Sequence, residues 1–149
     1  MKIINKKYFR EYEELETLEV GISLVGSEVK QIKMGNMKID DAFVKRLDDG
    51  VYLINAEIPN YKFAFPQGYD SKRSRKLLLH KREILRLETK IRRGGNLTMA
   101  PKCCYSKGQL IKLEIALVRG RKDIEKKNLE KKRDIAREQS FEAKEYMKE

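Results

Sequence analysis

The chain has 149 residues, 40% of them apolar and 38% charged, no tryptophan, and a formal net charge of +11. That length suits one domain with a modest core. No stretch approaches the roughly 20 consecutive apolar residues of a membrane span, and the N-terminus has no apolar leader run, so a soluble protein of the cytoplasm is expected. Cys103 and Cys104 are adjacent, so in a strand they point to opposite faces and a bond between them is strained. With His80 as the single histidine, a typical four-ligand zinc set cannot be drawn, and neither metal nor cofactor is expected.

Val20, Ile22 and Leu24 alternate with Glu19, Gly21 and Ser23, the pattern of a half-buried strand ending at Gly26. A short helix is predicted next, with Ser27 as its cap, Glu28 at its positive end, Val25, Val29 and Ile32 at helical spacing, and Gly35 at its stop. Two strands over 39–47 and 51–58 follow, joined as a hairpin at Asp48-Asp49-Gly50. Residues 59–69 read as a loop carrying Tyr61, Phe63, Phe65 and Tyr69, whose rings can cover the open end of the core or stack on bases; their large apolar area favours the first.

A helix is predicted over 79–91, with Ile84, Leu87 and Ile91 on one face, Lys81, Arg82, Arg86, Lys90 and Arg93 elsewhere, and Gly94-Gly95 as its stop. The clearest strand spans 110–118, with Ile111, Leu113, Ile115 and Leu117 facing one way. Its partner is 97–105, connected through Ser106-Lys107-Gly108-Gln109. Five strands interrupted by helices, without a βαβ rhythm, predict a mainly β fold: an antiparallel sheet rolled into a small OB-like barrel over residues 1–118.

Charge is unevenly placed. Residues 70–93 hold ten Lys and Arg against three acidic residues, a net +7, and residues 119–137 add +5. Such concentration is an electrostatic footprint for a polyanion, and Leu77-Leu78-Leu79 inside the first stretch tie it to a folded core. Residues 119–149 change character: Ile124, Ile135 and Tyr146 align every eleven residues, but Asn128, Lys131 and Glu142 lie between them, too thin a stripe to bury. Pairs Asp123/Lys126, Glu130/Arg133 and Asp134/Arg137 help a helix slightly. The composition fits a solvated tail and equally a segment that is disordered when free and turns helical on a polyanion.

Three blocks carry a resemblance: Glu19-Val20-Gly21-Ile22 with Gly26-Ser27-Glu28-Val29-Lys30; Asp70 with Arg73-Ser74-Arg75-Lys76-Leu77-Leu78-Leu79-His80-Lys81-Arg82-Glu83; and Leu117-Val118-Arg119-Gly120-Arg121-Lys122. The chain resembles the bacterial small protein B family over nearly its whole length. That resemblance implies a non-catalytic adaptor of ribosome rescue that binds the tRNA-like domain of transfer-messenger RNA and delivers it to the decoding centre and messenger channel of the small subunit of a stalled ribosome. Elongation factor Tu is implied only indirectly, through the delivery complex. The family's RNA-binding positions fall on Asn5, Lys6, Glu19 and Leu78, with Arg73, Arg75, Lys76 and His80 nearby. The implied ribosome-binding tail positions are Arg119, Arg121, Lys122, Ile124, Glu125, Lys126 and Lys127.

The chain departs from the family pattern at Ile124-Glu125-Lys126-Lys127, where an aromatic residue or His followed by Asp-Lys-Arg is usual; Ile124 can neither stack as a ring nor donate a hydrogen bond. Ser71 replaces a usual Pro and Phe43 a usual Tyr. The residues alone also admit two other readings. A nuclease using His80, Lys81 and Glu83 lacks a second His or an acidic metal cluster. A generic OB-type single-strand or ribosomal RNA-binding module keeps the charge but has no need of the uninterrupted basic-leucine block.

Overall fold

The computed structural model describes residues 1–62 and 68–148, with the backbone only for Asp123 and 138–148. Phe63 and Phe65, and the side chains of Asp123, Glu142 and Tyr146, lie outside the described residues. In chain order the elements are β1 (Lys2–Ile4), α1 (Tyr8–Glu11), β2 (Tyr12–Ile22), α2 (Gly26–Lys33), β3 (Phe43–Leu47), β4 (Gly50–Ile54), β5 (Arg75–Leu78), α3 (Lys81–Arg92), β6 (Leu97–Lys107), β7 (Leu110–Gly120) and α4 (Asp123–Lys148). No helix among the described residues is long and apolar enough to cross a membrane.

The expected barrel is corrected by the strand order. Seven strands form one antiparallel sheet, β1-β6-β7-β2-β5-β4-β3, which is not closed and has β1 and β3 at its ends. The edge of β6 that closure would need is already taken: β1 pairs with it from Lys2 opposite Tyr105 to Ile4 opposite Cys103. Asn5 extends that pairing, its N–H donating to Lys102 O and its Nδ2 to Pro101 O, both at 2.9 Å. Pro101, with no N–H to offer a ladder, sits beside a bulge between Pro101 and Cys103. The fold is a mixed one, with an open antiparallel sheet and helices packed on it.

The β6–β7 hairpin is the backbone of that sheet, turning at Gly108-Gln109 with Gly108 at φ 64°, the left-handed conformation such a turn requires. Ile111, Leu113, Ile115 and Leu117 all enter the main core, as their alternation dictates. On the opposite face Ala116 and Val118 are buried too, because Tyr8 of α1 packs over them with Ala100. Cys104 joins the main core, while Cys103 faces the other way with its Sγ 3.5 Å from Glu114 Oε2. Both thiols are free and buried, and burial pushes Cys104 up to about 12.

α2 starts two residues earlier than a cap at Ser27 would have it. Val25 is its cap, and the Glu28 carboxylate accepts from the Val25 N–H at 3.0 Å. Glu28 is fully buried and does more than cap. Its carboxylate also accepts from Arg75 Nε at 2.8 Å, from Arg73 Nε at 3.2 Å and through a second Arg73 contact, with the Tyr69 hydroxyl at 3.2 Å. Arg75, equally buried, donates onward to Ala56 O at 2.7 Å and Ser71 O at 3.1 Å. Tyr69 donates to Ile58 O at 2.8 Å, so this ring belongs to the network that seals one end of the core. Among the described residues no buried polar side-chain atom lacks a partner.

Burial works to raise the Glu28 pKa, but Arg73, the Val25 N–H and Arg75 outweigh it and hold the carboxyl below its usual range. A depressed folded-state pKa gives stability that is present above the unfolded value, near 4.3, and is lost as pH falls through the folded one. Removing one side of a buried pair leaves the other charge uncompensated, so Glu28→Gln is expected to lower unfolding free energy by about 3–5 kcal/mol at pH 7. The same variant should lose stability less steeply than the parent between pH 5 and 3. Urea unfolding at several pH values measures both; a variant as stable as the parent would show that the network does not hold the fold.

Candidate nucleic-acid interface

Strand registers place the outward side chains of five strands in rows. Lys2, Tyr105, Lys112, Gly21 and Leu78 stand opposite one another across β1, β6, β7, β2 and β5. One pleat further, Ile4, Cys103, Glu114 and Glu19 form the next row. Glu19 and Leu78, far apart in the chain, are thereby neighbours on one face. Along β5 the same face carries Lys76, which lies opposite Tyr52 of β4, itself opposite Lys45 of β3.

Leu77-Leu78-Leu79 resolves into three environments. Leu77 is core, Leu79 packs against it in part, and Leu78 is 59% exposed. Gly21 gives Leu78 its room: a Cβ there would stand 3.1 Å from Leu78 Cδ1, tight enough to displace that side chain by a few tenths of an ångström. Between Leu78 and the 62%-exposed Leu110 runs a groove of about 320 Å³, floored by Ile22 and Val29 and rimmed by Gln109 and Lys112. An apolar groove beside lysines suits an unstacked base or a ribose face flanked by phosphates.

Glu19 is held in place. It accepts from the Tyr105 hydroxyl and from Lys107 Nζ at 3.4 Å. The Tyr105 hydrogen bond, with Lys107 and Lys112, keeps its carboxyl below the usual range, so it is ionised at neutral pH. Tyr105, Lys107, Lys112 and Leu110 did not emerge from the sequence as site residues. Pairing 97–105 against 110–118 sets Tyr105 near Lys112, but only the third strand, β2, brings Glu19 beside them.

The other expected positions divide. Asn5 is buried, with Nδ2 on Pro101 O and Oδ1 accepting from the Lys7 N–H at 3.0 Å; Lys6 beside it is exposed, its N–H donating to Asp40 at 2.8 Å. Arg75 is fully buried and its donors are engaged inside the protein, while Arg73 is one-third exposed and paired with Glu28. Lys76, His80, Lys81 and Arg82 are exposed where β5 passes into α3, with His80 as the α3 cap residue.

In the tail, Arg119 pairs with Glu13 at 3.1 Å, and Lys126 with Glu11 at 2.8 Å. Arg121 Nε donates to Phe9 O and Tyr12 O, each at 3.1 Å. Lys122, Glu125 and Lys127 are exposed, Glu125 accepting from the Lys122 N–H at 3.3 Å, and Ile124 is 75% exposed. Phe43 is exposed, and at Ser71 the working group is the carbonyl, which accepts from Arg75 and from the Ile58 N–H whatever side chain stands there.

Fold and face together define a small open-sheet module presenting an apolar groove among lysines. The family model described as SmpB protein matches residues 2–145. An SsrA-binding protein of Pseudothermotoga lettingae is 43% identical over 135 residues, 91% of each chain. One from Sulfurihydrogenibium sp. is 45% identical over 134 residues, 90% of this chain and 88% of that one. A solved chain of tmRNA-SmpB, described as a journey to the center of the bacterial ribosome, superposes with TM-score 0.66 at 36% identity, covering 82% of this chain and 85% of that one. The chain belongs to the SmpB family.

Because Leu78 is exposed, its side chain contributes little to the fold. Leu78→Ala is expected to change unfolding free energy by no more than about 0.5 kcal/mol, yet to weaken binding to a folded tRNA-like RNA several-fold. Denaturation and gel-shift titration of one preparation separate the two effects; a large stability loss with unchanged binding would place Leu78 in the core instead.

Proposed function

We propose that this protein is the RNA-binding adaptor of ribosome rescue, binding the tRNA-like domain of transfer-messenger RNA and bringing it to a stalled ribosome without itself doing chemistry. The observation that carries the reading is the meeting of Glu19 and Leu78 on one outward face. Leu78 offers an apolar contact to an unstacked base or ribose, and Glu19 accepts from a base amino group or a 2′-hydroxyl, which a lysine cannot do. Lys76, Lys112 and the exposed His80-Lys81-Arg82 corner supply phosphate contacts that set register. Lys6 reaches the RNA from the edge, its own N–H held by Asp40 and that of Lys7 by buried Asn5. Arg75 and Arg73 serve the face from behind by holding β5.

In this proposal the tail, residues 119–149, acts on the ribosome. A lone helix whose Ile124 and Ile135 remain exposed is marginal in water, so beyond its root α4 frays when free and is completed as a helix in the empty messenger channel. The exposed Lys122 and Lys127 meet ribosomal RNA there and at the decoding centre, by distributed charge rather than by a ring at Ile124, while Arg121 and Lys126 hold the root of the tail and Arg119 pairs with Glu13. Elongation factor Tu joins through the RNA, and the cytoplasm is the setting.

Two experiments test the two parts. Glu19→Lys adds positive charge, so a charge-only interface would tighten; a roughly tenfold or greater loss of affinity for the tRNA-like RNA is expected, the scale of a lost hydrogen bond to a charged group. Tighter or unaltered binding would remove Glu19 from recognition. Truncation after Gly120 is expected to keep binding to the free RNA and abolish peptidyl transfer to transfer-messenger RNA on stalled ribosomes. Full transfer by the truncated chain would show that the tail has no part.

A further inference from the structure

α1 is a single helical turn: the Tyr12 N–H closes it on Tyr8 O, and the carbonyls after Tyr8 need partners from outside the helix. The start of the tail supplies one. Arg121 Nε donates to Phe9 O and Tyr12 O, and the Arg121 N–H donates to Glu11 O at 2.8 Å. One turn later the Glu11 carboxylate takes Lys126 Nζ at 2.8 Å, and Arg10 Nε donates to Glu130 Oε1 at 2.6 Å. Lys126 and Glu130, four apart, lie on one face of α4, so that face is turned toward α1. The Glu11–Lys126 pair is among the better shielded ion pairs at the surface, with side chains 32% and 21% exposed. Residues 131–137 are exposed throughout.

We infer that Glu11 is a positioning residue for the tail: through its carbonyl to Arg121 and its carboxylate to Lys126 it sets the direction in which α4 leaves the sheet. The inference rests on the proposal that the tail acts on the ribosome. A tail that must enter one channel while the sheet holds an RNA elsewhere gains from a fixed root, since each unconstrained residue between two tethered sites lowers their effective concentration for one another. The direction is held by charge at a partly exposed site, so it weakens with salt.

Amide hydrogen exchange on the full-length chain reads the docking before any ribosome is present. Glu11→Gln is expected to lower protection of amides 126–130 roughly two- to five-fold, the range of a partly exposed ion pair, and Glu11→Lys to lower it further. Glu11→Lys combined with Lys126→Glu should bring protection back to near the parent value. Lys126→Gln, which breaks the same bond from the tail side, should match Glu11→Gln. Protection unchanged in Glu11→Gln and Glu11→Lys, or no recovery in the reversed pair, overturns the inference. In function, Glu11→Gln should keep binding to the free RNA and slow peptidyl transfer on stalled ribosomes several-fold; lost protection with an undiminished rate also overturns it. Truncation after Gly120 reports separately on whether the tail serves the ribosome at all.

Discussion

A carboxylate with no solvent exposure, gripped by two guanidinium groups, a hydroxyl and a backbone N–H, joins the first turn of α2 to β5. As a stability term such a network is ambiguous, because taking the charges out of water offsets most of their attraction. Its value lies in register. Leu77, Leu78 and Leu79 are chemically equivalent, and hydrophobicity alone does not choose which of them enters the core. With Arg75 drawn inward to Glu28, strand alternation sends Leu77 in and Lys76 and Leu78 out. A slip of one residue would bury Lys76 and Leu78 and leave Glu28 facing no partner from β5, so the ionic contact decides what the outer face presents.

That face then depends on an absence. The outward Leu78 lies against the space above Gly21, which β2 leaves open by having no side chain there. The neighbouring strand adds Lys112 opposite Gly21 and Glu114 opposite Glu19, and β6 adds the Tyr105 that fixes Glu19. The face therefore divides its atoms: backbones and Gly21 make the platform, while Leu78, Glu19 and the lysines are what it presents outward.

The elements read correctly from sequence are those whose pattern is set by their own residues. β7 alternates cleanly, α3 keeps Ile84, Leu87 and Ile91 on one face, and the β3–β4 hairpin carries its turn in Asp48-Asp49. Those missed owe their form to something distant. β5 is four residues inside a basic run, a strand only because Glu28 and its neighbours on β2 and β4 hold it. The first half of β2 is rich in glutamate, and its bulge at Leu15 shifts the alternation by one, so the strand pattern is legible only from Glu19 and Val20 onward. β1 and α1 are too short to announce themselves, and it is β1 that occupies the edge a barrel would have closed on. Glu28 read as a helix-end charge because the guanidinium partners lie 45 and 47 residues away.

Charge shows the same limit and changes the functional account. Of the ten basic residues in 70–93, Arg73 and Arg75 are paired with Glu28, and Arg86 and Lys90 with Glu16. The footprint a polyanion meets therefore rests on the six that remain, Lys72, Lys76, Lys81, Arg82, Arg92 and Arg93, all exposed, and the outer face also carries the acidic acceptor Glu19. A surface that combines fixed bases with a fixed carboxylate repels phosphate at one point while attracting it at others, which favours an RNA whose fold puts a donor at that point over one that offers charge alone. The tail has the opposite character: Arg119 closes β7, Arg121 and Lys122 form the connection, and from Lys126 onward the bases are spread along one exposed helix. Shape selection thus falls to the sheet face, whose bases and carboxylate are fixed by folding, while the tail leaves that face at a different edge, from the end of β7.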